Sequence, residues 1–288
     1  MLSSVAMTKT VSLKTLGCKL NQYETARLAD ALVRRGWVSR PFGERVDAVI
    51  VNTCTVTDRA DKKSRNLIRQ GSRYSSSGKT VVTGCLVDRD RQGVASMPEV
   101  LALFGNGEKP LLTGKLAELV GNGRSIAFAE PTPAPPFTRT QGYLKIQDGC
   151  DGSCAYCVVP AVRGAPRSEK ADRVLDRARQ LIEGGCPEII LTGITIGRYA
   201  NEGLDLAGLA ESIVRLPGKF RLRFTSIEPA QVTERLIELL QHEKICSHLH
   251  LPLQSGSDRI LVAMRRPYRL AWWSGYGRAA PTRRSAPT

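Results

Sequence analysis

The sequence predicts a two-domain α/β protein, with a doubly wound parallel sheet followed by a partial (βα) barrel that is incomplete at the carboxyl terminus. Short apolar segments alternate with helical stretches in the first part of the chain, and the same alternation restarts after a proline-rich stretch. It stops at Tyr268, after about four strand–helix units. The predicted parts are an amino-terminal domain (1–120), a linker (121–141), the barrel (142–268) and a basic tail outside the fold (269–288).

Each predicted strand of the first domain is a short run rich in Val, Ile, Leu and Thr. The four runs are VSLKTL (11–16), DAVIVN (47–52), KTVVTG (79–84) and VLALFG (100–105). The helix-like stretches QYETARLADALVRRG and DRADKKSRNLIRQGSRY follow the first two runs. Because a helix between two strands carries the chain back across the sheet, this order favours parallel strands.

The linker is indicated by four prolines and by the absence of a helical period. The prolines are Pro131, Pro133, Pro135 and Pro136, and such composition is typical of an extended connection. The strands predicted beyond it are GYLKIQ (142–147), EIILTG (188–193), RLRFTS (221–226) and CSHLHL (246–251). Helices are expected around 170–185, 205–215 and 231–241.

The composition limits the class of protein. The chain has 288 residues and a net charge of +15, which suits a polyanionic partner such as nucleic acid. Its 42% of hydrophobic residues exclude a disordered chain. Neither a signal peptide nor an apolar run of about 18 residues is present, so we predict a cytoplasmic protein without a membrane partner. In that compartment the eight cysteines are more often metal or redox ligands than disulfides.

Three cysteines lie in the loop GCDGSCAYCVVP, directly after a predicted strand. Cys150, Cys154 and Cys157 have the spacing C-x3-C-x2-C. Three thiolates can hold three irons of a [4Fe-4S] cluster and leave the fourth iron open for chemistry. A structural zinc site is the main alternative, although no second pair of cysteines or histidines follows to complete it. Three buried thiols are a poorer reading, because the glycines and Asp151 make the segment a loop.

A second set of three cysteines is spread along the first domain. Cys18, Cys54 and Cys85 each come one or two residues after a predicted strand. In an open parallel sheet the loops at the carboxyl ends of the strands gather at one edge, so we expect the three thiols to converge and to hold a second cluster. The alternative is three isolated, buried thiols.

The first loop, with the aromatic Tyr156 between its second and third cysteines, resembles the radical S-adenosylmethionine (radical SAM) superfamily. The whole set of motifs resembles one family within it, the methylthiotransferases, from Val11 to Tyr268. The motifs are TLGCKLNQYE, VNTCTVTDRADKKSR, VTGCLV, IQDGCDGSCAYCVVPAVRG, LTGITIGRY, FTSIEP and HLPLQSGSDRIL. The form GCKLNQYE resembles the branch acting on threonylcarbamoyladenosine in tRNA more than the isopentenyladenosine or ribosomal-protein branches.

The resemblance implies two [4Fe-4S] clusters, S-adenosylmethionine and an electron donor. It assigns Cys18, Cys54 and Cys85 to an auxiliary cluster, and Cys150, Cys154 and Cys157 to the radical SAM cluster. The implied substrate is adenosine 37 in the tRNA anticodon loop, which receives a methylthio group at C2. Because an aromatic C–H bond has no useful acidity, a carbon radical and not a histidine or carboxylate opens it, and no catalytic residue is assigned beyond the clusters.

Side chains at predicted strand ends are the candidates for cofactor contacts, because barrel sites are built on the loops after the strands. The candidates for S-adenosylmethionine are Tyr156, Thr192, Ser226, Glu228 and Gln254. Arg163 and Arg167, which follow the cysteine loop, are candidates for contact with substrate or phosphate. The basic run 59–69 is either an RNA-facing helix or an ordinary solvated one. Cys186, Cys246, His248 and His250 are interpreted as structural.

The chain departs from the family at its end. Family members continue beyond the match with the rest of the barrel and a small RNA-binding β-domain, whereas no acidic residue follows Asp258 here. We therefore expect a carboxy-terminally truncated enzyme. The alternatives are a non-catalytic iron–sulfur or zinc RNA-binding relic, and a radical methylthiotransferase acting on another tRNA adenosine or on a ribosomal protein.

Overall fold

The structure, a computed structural model, describes residues 9–120 and 140–271. These residues form two compact units: the first comprises 9–120 with 158–164, and the second 140–157 with 165–271. Residues 121–139 of the predicted linker and 272–288 of the predicted tail lie outside the described residues.

The strands and helices follow the predicted order closely. Up to residue 120 they are β1 (Thr10–Thr15), α1 (Lys19–Val33), β2 (Val38–Ser39), β3 (Ala48–Thr53), α2 (Asp58–Tyr74), β4 (Thr80–Gly84), α3 (Cys85–Arg89), α4 (Arg91–Ala95), β5 (Val100–Phe104) and α5 (Lys109–Leu119). From residue 140 they are β6 (Gln141–Lys145), β7 (Gln147–Asp148), α6 (Val159–Arg163), β8 (Arg167–Ser168), α7 (Ala171–Glu183), β9 (Glu188–Thr192), β10 (Ala200–Asn201), β11 (Leu204–Asp205), α8 (Leu206–Val214), β12 (Arg221–Phe224), α9 (Glu234–Leu239) and α10 (Asp258–Ala263).

The first unit is built on a five-stranded parallel sheet in the order β2-β1-β3-β4-β5. Successive side chains of β3 enter opposite cores, because side chains alternate between the two faces of a strand. Ala48 and Ile50 pack with α1 and α5, whereas Val49 and Val51 pack with α2, α3 and α4. Helices cover both faces, which confirms the predicted doubly wound arrangement.

The longest helix of this unit, α2, begins and ends as its sequence indicates. The Thr57 hydroxyl accepts a hydrogen bond from the backbone amide of Ala60, and Asp58 and Asp61 lie in the first turn. Both features stabilise a helix amino terminus. Its buried side contains Ser64 and Ile68, while most of its charged residues are exposed.

Helix α6 packs with the first unit, although it follows the cysteine loop of the second unit in the chain. Its Val162 is buried, and the Val162 carbonyl accepts a hydrogen bond from the Asn106 amide at 3.0 Å. The domain boundaries predicted from sequence put residues 158–164 in the barrel, so the observed packing differs from that prediction here. A five-residue helix carries too little apolar pattern to reveal its packing partner.

The second unit contains three parallel strands in the order β12-β9-β6, with α7, α8 and α9 packed against them. Helix α7 buries Ala171, Val174, Ala178 and Leu181, which recur at the three-to-four-residue spacing of one helical face. This repeated strand–helix order confirms the predicted partial barrel.

The predicted strand 246–251 is wrong as a regular strand. Two isolated bridges are formed here, one from Leu222 to Ile245 just before this segment and one from Ser226 to His250 within it. Between them the amide of His248 bonds the carbonyl of Cys246 at 2.7 Å, which takes that amide out of a ladder. The segment therefore contains a local turn, whereas the alternation of apolar residues in the sequence predicted continuous strand pairing.

None of the helices in the two described segments is long and apolar enough to cross a membrane.

Candidate functional site

Cys18, Cys54 and Cys85 all lie at the carboxyl ends of neighbouring parallel strands. Cys54 directly follows β3 and Cys85 directly follows β4, and the register pairs the preceding residues, Thr53 and Gly84. Cys18 precedes α1, two positions beyond the amide of Leu16, which bonds the Asn52 carbonyl. The sheet therefore brings the three predicted cysteines to one edge, as the strand pattern indicated.

The environment of these thiols differs from one to the next. Cys54 and Cys85 are buried, whereas Cys18 is exposed. Burial raises the pKa of the Cys54 thiol, and negative charge on Cys85 and Cys18 raises it further. A positive metal centre would relieve this repulsion.

Two glycines permit the close approach of backbone and thiol at this edge. Gly17 has φ +114°, and a Cβ there would lie 2.9 Å from the Cys54 Cβ. Gly84 has φ +99°, and a Cβ there would lie 2.4 Å from Asn52 Oδ1 and 2.5 Å from the Thr53 carbonyl oxygen. Real Cβ atoms do not come so close, so both positions require glycine.

A buried polar network connects the strand ends that carry these cysteines. The Asn21 amide donates to the Leu16 carbonyl at 2.8 Å and to the Thr53 carbonyl at 3.0 Å. Its oxygen accepts a 2.6 Å hydrogen bond from Arg163. One side chain of α1 therefore joins the ends of β1 and β3 and is itself held by α6.

The same network continues to Cys85. Glu24 pairs with both Arg163 and Lys109, and Lys109 also donates to Asn106 Oδ1 at 2.7 Å. The Asn106 amide approaches the Cys85 sulfur at 3.6 Å and donates to Asp88 at 2.7 Å. Burial alone would raise the pKa of Glu24, but the charges and hydrogen bonds of Lys109 and Arg163 outweigh it and lower the pKa.

Arg163 therefore does not have the role that its position in the sequence suggested. Its side chain is only 1% exposed and is used by Glu24 and Asn21. The prediction of a contact between Arg163 and substrate phosphate is wrong for this conformation, because no face of the guanidinium is open to solvent. Arg167, in contrast, is exposed.

The second group of cysteines lies in the second unit, between β7 and α6. Cys150 and Cys154 are half-buried and Cys157 is exposed. The amide of Gly152 donates to the Cys150 sulfur at 3.2 Å, and Arg266 donates to the Cys154 sulfur at 3.2 Å. N–H donors aimed at sulfur are typical of thiolates that ligate iron–sulfur clusters.

Gln147 fixes the start of this loop from inside the unit. Its side-chain nitrogen donates to the carbonyls of Asp148 and Gly149 at 2.9 and 2.8 Å. Its oxygen accepts from the amides of Ile194 and Thr195 at 3.1 and 2.7 Å. All four hydrogen bonds that an amide side chain can make are formed, so the loop after β7 is tied to the loop after β9.

The five candidates for cofactor contact lie in different surroundings. Tyr156 is exposed, and partial burial together with the negative sulfurs of Cys154 and Cys157 raises its pKa. Ser226 is exposed and bonds His250 Nδ1 at 2.7 Å, while Glu228 pairs with Arg266. Gln254 is exposed with φ +72°, and Thr192 is buried at the end of β9. Four of the five thus reach the surface of the unit, and Thr192 does not.

The arrangement of the thiols bears on the kind of metal group that fits. Among the described residues no three Cys, His, Asp or Glu side chains are grouped closely enough to hold a single metal ion. Two thiolates on one zinc ion lie about 4 Å apart, since each Zn–S bond is about 2.3 Å. A cubane binds its three thiolates through three different irons and accepts a wider spacing. The all-thiol donor sets at both sites fit such a cluster.

Three important residues could not be found from the sequence. Gln147 bonds groups 47 and 48 positions away, Arg163 bonds groups 139 and 142 positions away, and Arg266 bonds a group 112 positions away. No local period or motif marks such partners. The only signal was the position of Arg163 next to the cysteine loop, and it suggested a different role.

Two family models match the chain. The radical SAM superfamily matches residues 144–274, and the uncharacterized protein family UPF0004 matches residues 10–105. Together they take in more than half of the sequence, including both groups of three cysteines. The fold and the C-x3-C-x2-C loop thus define a radical SAM protein with an additional amino-terminal α/β unit.

The curated relatives of the chain are enzymes that modify tRNA. The threonylcarbamoyladenosine tRNA methylthiotransferases MtaB of Bacillus subtilis and Thermotoga maritima are 37% and 32% identical over 92% and 91% of the chain. The tRNA-2-methylthio-N(6)-dimethylallyladenosine synthase of Solibacter usitatus is 33% identical over 90%. Over about nine tenths of its length the chain is similar to these tRNA methylthiotransferases, and residues 144–274 match the radical SAM superfamily. The chain spans about 62% of the length of these three relatives.

Solved structures support the fold. The radical S-adenosylmethionine methyltransferase TsrM from Kitasatospora setae, with cobalamin and a [4Fe-4S] cluster bound, matches with a TM-score of 0.62 and 16% identity. The match covers 92% of this chain and 66% of TsrM. At this identity the likeness concerns the fold alone.

Proposed function

We propose that the protein is a radical SAM methylthiotransferase that inserts a methylthio group at C2 of threonylcarbamoyladenosine 37 in tRNA. The observation that carries the proposal is the pair of three-cysteine sites, one at the edge of a parallel sheet and one in the loop after β7. Methylthio transfer requires both a source of radicals and a centre that supplies sulfur, so an enzyme of this kind needs two such sites.

Cys150, Cys154 and Cys157 would hold the radical SAM cluster, and Cys18, Cys54 and Cys85 the auxiliary cluster. When bound with S-adenosylmethionine, the first supplies an electron that generates a carbon radical able to break an unactivated C–H bond. The chain would hold the three thiolates that bind each cluster. Gln147 and Asn21 do this by fixing the backbone beside the cysteines.

Tyr156, Ser226, Glu228 and Gln254 would contact S-adenosylmethionine from the ends of the barrel strands, whereas the buried Thr192 would act by packing. A one-electron donor is a required partner. The tRNA substrate would place the protein in the cytoplasm.

The basic surface of α2 supports a polyanionic substrate. Exposed cations on this helix are Arg59, Lys62, Lys63, Arg69 and Arg73. Arg65 is not among them: it is half-buried and pairs with Asp90 at 2.5 Å. Exposed arginines and lysines on one helix can bind RNA phosphates and release their counterions. Weaker tRNA binding with rising salt is the expected signature.

The first test is the iron and acid-labile sulfide content per chain after anaerobic reconstitution. We expect about eight irons, and about four in either Cys54→Ala or Cys150→Ala. Cys186→Ala is the matched control, because Cys186 is a buried core thiol in the second unit. Stoichiometric zinc without labile sulfide would contradict the proposal and favour a non-catalytic relic.

The second test identifies the substrate. The reconstituted protein is incubated with S-adenosylmethionine, dithionite and tRNA that contains threonylcarbamoyladenosine, and the nucleosides are analysed by mass spectrometry. We expect the 2-methylthio derivative together with 5′-deoxyadenosine, and neither product from Cys150→Ala. Product only from tRNA containing dimethylallyladenosine would assign the other activity, which the relative from Solibacter usitatus carries in its name.

A further inference from the structure

Arg266 is a buried arginine whose donors point at groups of the candidate radical SAM site. Its side chain is only 4% exposed. One terminal nitrogen donates to the Cys154 sulfur at 3.2 Å, Nε donates to the Tyr268 hydroxyl at 3.0 Å, and the other terminal nitrogen pairs with Glu228. Two of the three guanidinium nitrogens thus donate hydrogen bonds inside the second unit, and the third forms an ion pair there.

The guanidinium is held rigidly in this position. The Tyr268 hydroxyl lies 3.0 Å from each of the carbonyls of Pro252 and Leu253, so it is anchored while it accepts from Arg266. The Tyr268 ring also lies 5.1 Å from the guanidinium carbon. A planar cation held by several partners keeps the N–H group that donates to Cys154 in a constant direction.

The segment that carries Arg266 also contacts the backbone of the cysteine loop. The amide of Ala155, next to Cys154, donates to the carbonyl of Met264 at 3.1 Å. The segment therefore contacts the cysteine loop at two consecutive positions, through the Met264 carbonyl at Ala155 and through the Arg266 guanidinium at Cys154. This double contact distinguishes Arg266 from a general surface charge.

We propose that Arg266 is a positioning residue for the radical SAM cluster, which orients the Cys154 sulfur and raises the reduction potential of the cluster through a charged N–H···S hydrogen bond. This inference rests on the proposed function, because it requires a cluster on Cys154. Reduction adds one electron, and the reduced cluster carries one more negative charge than the oxidised cluster. A fixed cation at a ligand sulfur therefore stabilises the reduced form more.

The test is a redox titration followed by electron paramagnetic resonance on the full chain, poised with dithionite and mediators in the absence of S-adenosylmethionine. It is made in the Cys18→Ala/Cys54→Ala/Cys85→Ala background, so that only the second cluster contributes a signal. The variants are Arg266→Met, Arg266→Lys and Tyr268→Phe. Arg265→Met is the matched control, because Arg265 is exposed at the adjacent position.

We expect Arg266→Met to lower the equilibrium constant for reduction of the cluster about tenfold or more. This corresponds to a reduction potential lower by about 59 mV for a one-electron couple. Arg266→Lys should lose less, because it keeps the charge but not the planar set of donors, and Arg265→Met should not change the potential. If circular dichroism shows that Arg266→Met does not fold, the Tyr268→Phe variant tests the proposal instead. It removes the hydroxyl that anchors Arg266, and it should lower the reduction potential by less than about 59 mV, which corresponds to about tenfold in the equilibrium constant.

Equal potentials in the folded variants, with full iron content, would overturn this inference and leave the proposed function intact. Absence of any cluster on Cys150, Cys154 and Cys157 in the parent would overturn both. Iron content measured beside each titration separates the two results.

Discussion

The guanidinium of Arg163 donates a 2.6 Å hydrogen bond to the carboxylate of Glu24, 139 positions earlier in the chain. Both side chains are buried, and Lys109 pairs with the same carboxylate. Such an arrangement has a large desolvation cost, which close pairing and additional hydrogen bonds must offset. It holds the short helix α6 to the first unit and supports Asn21 at the strand ends beside Cys18 and Cys54.

Removal of this arginine should destabilise the protein. We expect Arg163→Met to lower the free energy of unfolding by about 3 kcal/mol, near the low end for a broken buried ion pair, because Lys109 remains with Glu24. Urea unfolding followed by circular dichroism measures the change. In a double-mutant cycle with Glu24→Gln the two losses should not add, whereas the exposed Arg59→Met should have no effect. Additive losses would show that the pair is not coupled.

The same carboxylate should make stability depend on acid. The pKa of Glu24 lies below its ordinary value, because the charges and hydrogen bonds of Lys109 and Arg163 outweigh the effect of burial. The native state therefore favours the ionised form. This contribution is complete above the unfolded pKa of about 4.3 and is lost as the pH falls through the lower native value. Glu24→Gln should show a smaller loss of stability over that acid range than the parent, and equal pH profiles would contradict the assignment.

Gln147 gives a prediction for the cysteine loop of the second unit. Gln147→Leu leaves two backbone amides and two carbonyls without their side-chain partner, which should cost about 3 kcal/mol or more. We expect the iron bound at Cys150, Cys154 and Cys157 to fall, because the backbone before Cys150 is no longer fixed. The exposed Gln180→Leu is the control. Iron analysis in the background that lacks the auxiliary cysteines measures the effect, and full iron content in Gln147→Leu would contradict it.

Gly84 gives a corresponding prediction for the sheet edge. Gly84→Ala forces a Cβ to within 2.4 Å of Asn52 Oδ1 at a backbone conformation that disfavours side chains. The strand ends must separate, so we expect iron to fall from about eight to about four per chain. Gly78→Ala is a matched control, because Gly78 also has a positive φ but nothing lies within 4 Å of its added Cβ. A similar loss in both variants would assign the effect to backbone strain alone.

The features that depend on local sequence were predictable. The strands that precede Cys18, Cys54 and Cys85 were predictable, because an apolar run followed by a glycine or polar turn identifies a buried strand and its end. Parallel order then implied convergence at one edge. The prediction of a strand at 246–251 was wrong, because one local hydrogen bond at His248 interrupts the pairing. The apolar pattern of the sequence does not reveal that hydrogen bond.

The supporting residues could not be predicted in the same way. Arginine next to a cysteine loop has the same local sequence whether it contacts phosphate or a distant glutamate, and only the packing of α6 decides for Arg163. Gln147 is one more polar residue at a strand end until its four partners are known. Their functions depend on contacts between distant positions, which a single sequence does not contain.

Helix α6 also determines when the first unit can be complete during synthesis. The chain leaves that unit between residues 120 and 140, returns to it after Cys157 and leaves again after Gly164. A ribosome must therefore translate all six proposed ligand cysteines before Arg163 emerges to close the buried network around Glu24. For the same reason a single proteolytic cut between residues 120 and 140 separates the sheet from its own last helix, and expression of residues 1–120 alone leaves the Glu24 carboxylate without its arginine.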